Sequence, residues 1–143
     1  MKNELTLGSL FDGSGGFPLG GMLAGITPLW ASEIEPFAVR VTTKRLPRMK
    51  YYGDVSSLNG ADLPPVDIIT FGSPCQDMSI AGKRSGLDGS RSSLFYEAVR
   101  IIKEMRCATN GKYPRFCVWE NVPGAFSSNK GEDFRCVLES LCR

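Results

Sequence analysis

The chain is expected to adopt an α/β fold, a doubly wound and mostly parallel sheet with helices on both faces. Three observations carry that expectation. Short apolar, β-branched runs alternate with segments of helical spacing along the whole chain, the first run empties into a glycine-rich turn, and later runs close on acids or on a cysteine. Leu5 to Phe11 (LTLGSLF) reads as the first strand, and GSGG turns it into a glycine- and leucine-rich helix from about Phe17 to Ala24. PLWASE, Pro28 to Glu33, is the second strand. A helix follows from Pro36 to about Leu46, with proline in its first turn and Phe37, Ala38 and Val41 on its inner face. YYGDV, Tyr51 to Val55, is a short third strand and Val66 to Thr70 (VDIIT) a buried fourth. RSSLFYEAVRIIKEM then places Leu94, Phe95, Ala98, Val99, Ile102 and Met105 at helical spacing. Phe116 to Trp119 (FCVW) is the fifth strand and EDFRCVLESL the last helix, while Gly82 to Ser93 is the one long polar loop.

A length of 143 residues suits one domain, and is small for an enzyme that handles both a cofactor and a macromolecule. The net charge of +2 neither requires nor excludes a nucleic-acid partner, so any basic surface is local. Five cysteines is an odd count, no two form a CxxC pair, and histidine is absent, which argues for a reduced, metal-free, cytoplasmic protein. No apolar run reaches membrane-spanning length, and MKNELTLGS lacks the apolar core of a signal peptide. The chain stops at LESLCR inside a helical pattern, the ending expected of a cut rather than a finished domain.

Cysteine is ordinarily a small buried hydrophobe. Cys75 stands in FGSPCQDMS, just past the fourth strand, where a parallel strand empties into a loop and where open α/β sheets bind ligands. Pro74 restricts the backbone on both sides of its peptide bond and helps to aim the thiol. Glu120 leaves the fifth strand on the same edge, in WENVPG. A thiol and a carboxyl at adjacent strand ends suit covalent attack on a ring carbon with proton donation to the same ring. The FDGSGG turn exposes main-chain N–H groups to a ligand, and Glu33 and Asp54 close the next two strands. Two strand-end acids beside a glycine turn outline a site for an adenosine group, and the missing GxGxxG pattern argues for a ligand smaller than a dinucleotide.

These residues resemble the C5-cytosine DNA methyltransferase family. LFDGSGGFPLGG is similar to its S-adenosylmethionine-binding motif, GSPCQDMS to its nucleophile motif and WENVPG to its glutamate motif, in the family's order, from about Leu5 to Leu141. The resemblance implies a Rossmann-like S-adenosylmethionine-dependent methyltransferase fold, S-adenosyl-L-methionine as cofactor and double-stranded DNA as partner. It implies that the Cys75 thiolate adds to cytosine C6 while a protonated Glu120 bonds N3, so that C5 can accept the methyl group of a flipped-out base. It also implies cofactor contacts from Phe11, Gly13, Gly15, Glu33, Ile34, Asp54, Val55 and Leu94, with Ile34 replacing the larger, often aromatic residue that covers the adenine. On the DNA side it implies Gln76, Ser79 and the loop cations Lys83, Arg84 and Arg91.

Family members continue beyond such a segment into paired arginines, a target-recognition domain and a terminal asparagine-containing motif. Residues 1–143 are therefore expected to be the N-terminal cofactor-binding and catalytic part, incomplete at its C-terminus. That part would be completed in cis or by a separate C-terminal subunit, or would self-associate through an exposed sheet edge; alone it is expected to transfer no methyl group. The competing reading is a remnant or split subunit that binds the cofactor or a partner without catalysis. A bacterial or phage origin fits either reading.

Overall fold

Side-chain alternation along the second strand decides the layering. Trp30 and Ala31 point to opposite faces of the sheet, yet both are fully buried, so both faces are covered. In the computed structural model, which describes residues 4–72 and 93–142, β1 (Thr6–Leu10), α1 (Gly16–Leu23), β2 (Thr27–Ser32), α2 (Pro36–Arg45), β3 (Lys50–Tyr51), β4 (Ile68–Phe71), α3 (Ser93–Ala108), β5 (Phe116–Trp119) and α4 (Glu132–Cys142) follow one another. Short 3-10 turns cover Val55–Ser57, Pro123–Phe126 and Ser128–Gly131. The strands pair in the order β3-β2-β1-β4-β5, and every pair is parallel.

That order reverses between β1 and β4. Right-handed crossovers then send α1 and α2 to one face of the sheet and α3 to the other. The larger core packs Phe95, Ala98, Ile101, Ile102 and Met105 of α3 and Val137 of α4 on Leu10, Trp30, Ile69 and Phe71. The smaller one joins Ala31 to Leu46 and Met49 beyond the end of α2. The reversal leaves a crevice at the carboxyl ends of β1 and β4, the place where open parallel sheets bind ligands.

The expected elements are present, with boundaries shifted by one residue at β1 and β2 and by more at β3 and β4. β3 is only Lys50–Tyr51, because Gly53 turns the chain at φ 74° and Asp54 accepts the Ser56 N–H at 2.9 Å to start a 3-10 turn. β4 begins at Ile68 rather than Val66. Asp67 precedes the strand: its carboxylate takes the Thr6 N–H and hydroxyl, both at 3.0 Å, while its carbonyl accepts the Arg115 and Phe116 N–H groups at 2.8 and 3.0 Å. β5 lies at the edge of the described sheet, with Phe116 and Val118 exposed.

Gly8 lies in the middle of β1, where a Cβ would come within 2.2 Å of the Trp30 ring. The indole is fixed by its Nε1–H bond to the Pro64 carbonyl at 2.8 Å and cannot step aside. Gly8→Ala is expected to destabilise the fold by about 1–3 kcal/mol, the usual cost of overpacking. Urea denaturation at constant slope measures it; an unchanged midpoint would show that the indole has room to move.

Candidate active site

Four strand ends converge on one cavity of about 320 Å³. Its lining is Phe11 after β1, Ser32, Glu33 and Ile34 at the end of β2, Asp54 and Val55 after β3, Gly72 after β4, and Leu94 from the first turn of α3. Six of the eight residues expected from sequence to contact a cofactor are in this list. Larger cavities lie elsewhere, one of about 430 Å³ by Met22, Arg45 and Arg48 and one of about 500 Å³ by Arg106, Cys117 and Leu141. Neither collects the strand-end acids, so the smaller cavity is the better site by chemistry.

The local sequence explains the shape of the turn. Phe11, Gly13 and Gly15 all have positive φ, at 54°, 57° and 84°, and the two glycines take it without a Cβ penalty. Glu33 holds the turn from the side: Oε2 accepts the Gly13 N–H at 2.7 Å, while Oε1 accepts from Ile34 and Glu35 at 2.7 and 2.9 Å. A carboxylate offers about four acceptor positions, so three bonds leave about one for a ligand hydroxyl. A Cβ on Gly13 would meet nothing within 4 Å, so the space above the turn is open. Gly15 has a different setting. It is buried against α2, where a Cβ would meet Thr42 Cγ2 at 2.7 Å, and neither it nor Gly13 lines the cavity.

Val55 is buried and Ile34 stands 70% exposed. A ring entering the cavity can be covered by Ile34 without displacing core residues. The lining is mostly apolar with carboxylates at Glu33 and Asp54, acceptors that fit ribose hydroxyls and the amino edge of a purine.

Glu120 follows β5, and its N–H donates to the Phe71 carbonyl at 3.0 Å. The register pairs Phe71 with Trp119, so Gly72 and Glu120 leave the sheet side by side. A Cβ on Gly72 would fall 2.9 Å from Glu120 Oε2; only glycine lets the carboxyl lie this close to the β4 exit. Glu120 also lines a second cavity of about 330 Å³, with Phe17, Trp119, Asn121, Val122 and Phe126 among its walls. Cys75, Gln76, Ser79, Lys83, Arg84 and Arg91 lie outside the described residues. Gly72 is three positions before Cys75, so the strand that leads to the thiol is the neighbour of the strand that presents the carboxyl.

Sequence reasoning missed Gly72, Ser32 and Asp12. Gly72 and Ser32 carry no signal until the strands are paired. Asp12 was visible inside FDGSGG, but its burial was not: it is 6% exposed and bonds the Tyr51 hydroxyl at 2.8 Å. Burial pushes its carboxyl above the usual range, with Glu33 adding to the rise and the Ser9 and Tyr51 hydroxyls opposing it.

A parallel sheet with a cavity of about 320 Å³ at its switch point, acids at successive strand ends and a carboxyl at the neighbouring strand exit defines an α/β protein with a ligand crevice at the carboxyl ends of its strands. More particularly, the sequence profile of the C-5 cytosine-specific DNA methylases matches residues 5–143, and the chain belongs to that family. It is 34% identical to an orphan methyltransferase of Bacillus phage SPR over 96% of the chain and 31% of the relative. It is 36% identical to a protein of Escherichia phage P1 named a DNA N-6-adenine-methyltransferase, over 96% of the chain and 19% of that relative. Among solved structures, a protein described as a DNA modification methyltransferase encoded within an Escherichia coli prophage superposes with a TM-score of 0.74 at 28% identity, covering 97% of this chain and 38% of that one. The chain thus spans about a fifth to a third of the length of these curated relatives. The fold is the Rossmann-like methyltransferase fold.

Proposed function

We propose that residues 1–143 form the cofactor-binding and catalytic part of a DNA (cytosine-5)-methyltransferase. The observation that carries this reading is the convergence of Phe11, Glu33, Ile34, Asp54, Val55 and Leu94 on one cavity with Gly72, where β4 leaves the sheet beside Glu120. In this reading Glu33 receives the ribose hydroxyls, Val55 and Ile34 sandwich the adenine, and Asp54 receives its polar edge. Gly13 leaves room for close approach, and Gly15 fits the turn to α2. S-adenosyl-L-methionine, when bound, supplies an electrophilic methyl group.

The chain's own residues prepare the base. Cytosine C5 is a weak nucleophile, so the Cys75 thiolate adds to C6 and the ring gains enamine character. Glu120 holds a proton at N3 as charge develops there. After transfer a base takes the C5 proton, the freed electron pair re-forms the C5–C6 double bond, and the Cys75–C6 bond breaks to return the thiolate. The target atom is hidden in a stacked duplex, so double-stranded DNA must present an extruded cytosine, with Gln76, Ser79, Lys83, Arg84 and Arg91 on the DNA side. Methylation of an exocyclic adenine amine needs no covalent activation of a ring carbon. The Cys75 and Glu120 pair therefore favours cytosine C5 over adenine N6, and analysis of methylated nucleosides distinguishes the products.

Glu33→Ala is expected to weaken cofactor binding by about 1.5–3 kcal/mol, the scale of charge-assisted hydrogen bonds lost together. Part of the loss arises in the turn, because Glu33 also anchors Gly13. Calorimetry with S-adenosylmethionine on the complete or complemented enzyme measures it. Unchanged affinity would reduce Glu33 to a scaffold of the loop and remove the cavity from the cofactor reading.

A further inference from the structure

Beneath the glycine turn, polar groups from three elements stand in one line. The Tyr51 hydroxyl at the end of β3 is 2.8 Å from Asp12 Oδ2 and also bonds Thr42 Oγ1. Thr42 in turn donates within α2 to the Ala38 carbonyl at 2.9 Å, a proton it shares with the Val39 carbonyl at 3.1 Å. Thr42 is the junction of the arrangement, since its hydroxyl joins the line while its methyl underlies Gly15 at a distance that excludes a Cβ. The Gly15 N–H closes the turn on the Asp12 carbonyl at 3.1 Å. Both ends of the turn therefore rest on one side chain of α2.

Three contacts in series, Asp12 to Tyr51, Tyr51 to Thr42 and Thr42 to Ala38, need three protons. Tyr51 and Thr42 bring one each. A protonated Asp12 supplies the third, and the line then runs in a single direction from carboxyl to helix carbonyl. With Asp12 ionised, either Tyr51 must serve two acceptors with one proton or Thr42 must abandon Ala38. The groups facing Asp12 are the Ser9 hydroxyl from β1, the Tyr51 hydroxyl from β3 and the Glu33 carboxyl after β2, and none of them is a cation. Asp12 Oδ1 and the facing Ser9 hydroxyl are both buried with no hydrogen bond of standard geometry among the described residues, so the hydroxyl offsets only part of the cost of burying this half of the carboxyl. Burial and Glu33 both push the carboxyl toward its neutral form.

We propose that Asp12 is a positioning residue of the cofactor site, a proton-bearing carboxyl that donates to Tyr51 and, through Thr42, ties both ends of the glycine turn to α2. The link to a ligand rests on the cofactor reading above, because Asp12 lies between Phe11, which lines the cavity, and Gly13, whose N–H Glu33 holds. A turn held in advance costs less to order when a ligand arrives. The sign of the pH dependence follows. The folded state favours the protonated acid, so the contribution is complete below the unfolded-state value and is lost as pH rises through the raised folded-state value.

Amide hydrogen exchange over residues 11–17 of the unliganded protein, referenced to β4 at each pH, tests the arrangement without any ligand, and calorimetry with S-adenosylhomocysteine tests its consequence. In the wild type the referenced exchange of the turn is expected to quicken as pH rises through the Asp12 transition. Asp12→Asn keeps a neutral donor, so it should retain slow exchange and lose that pH step. Asp12→Ala and Tyr51→Phe break the line, so the turn should exchange about tenfold faster and S-adenosylhomocysteine should bind about tenfold more weakly, the scale of one buried hydrogen bond. Glu33 is the same in all these proteins, so differences between them belong to the line. The proposal is overturned if Asp12→Asn behaves like Asp12→Ala, or if Tyr51→Phe matches the wild type. Should Asp12→Ala unfold, fast exchange in β4 as well as the turn reveals it, and Tyr51→Phe, which keeps the ring, decides. If the wild type binds no S-adenosylhomocysteine the cofactor reading fails, while the exchange data still decide the role of Asp12.

Discussion

Replacing Cys75 with serine is expected to abolish covalent trapping of DNA that carries 5-fluorocytosine. In the proposed mechanism the thiolate adds to C6, and the reaction ends when a proton leaves C5. Fluorine at C5 cannot leave as a proton does, so the bond between sulfur and C6 persists in the wild type. A serine hydroxyl is far less acidic than a thiol and is a poor nucleophile without an adjacent general base. The measurement is denaturing electrophoresis of the complete or complemented enzyme with fluorinated duplex, followed by peptide mapping. Attachment at Cys107, Cys117, Cys136 or Cys142 would assign the nucleophile elsewhere. The structure bears on those alternatives: Cys107, Cys117 and Cys142 are exposed free thiols, but none of the four lines the cavity shared by Glu33 and Asp54 or the one beside Glu120.

Glu120→Gln is expected to leave cofactor binding intact and to slow methyl transfer by at least about a hundredfold, the usual scale of a lost general acid. Glutamine preserves the volume beside Gly72, so the close approach of the two strand exits survives the change. It can donate a hydrogen bond to N3 but cannot deliver a proton as charge develops. In the unliganded structure Glu120 is exposed, open to an incoming base. Single-turnover kinetics at saturating cofactor, paired with calorimetry, separates the two effects. Lost cofactor binding with unaltered turnover would make Glu120 a structural residue of the cavity wall.

The residues proposed to carry the chemistry stood out in short stretches because each signal depends on local residue order. Pro74 next to Cys75, glycines with a Phe11 lead-in, and acids at the ends of apolar runs are all readable without a third dimension. So were the helices with strong amphipathic spacing. α4 spans Glu132–Cys142 and α3 spans Ser93–Ala108, close to the segments expected, because a repeating inner face leaves little freedom in where a helix can pack. Strand limits were less legible. β3 and β4 are bounded by the turn at Gly53 and by the Asp67–Thr6 bonds, and the second of these joins residues 61 positions apart.

Sequence order by itself determined the fold class, the alternation of strands and helices, and the residue types available to hold an adenosine group and to activate a ring. Only the tertiary structure decided which of them meet. Pairing β1 with both β2 and β4 brings Phe11, Glu33 and Gly72 to one crevice, and pairing β4 with β5 sets Glu120 against Gly72. The same pairing separated two glycines of similar local sequence, leaving Gly13 beside open space and pressing Gly15 onto Thr42. It also turned Asp12 from one more polar residue of a turn into a buried acid on a line of hydrogen bonds. The physical reason is common to all three: burial, proton sharing and cavity shape are properties of neighbours in space, and those neighbours are supplied by strands and helices distant in the chain.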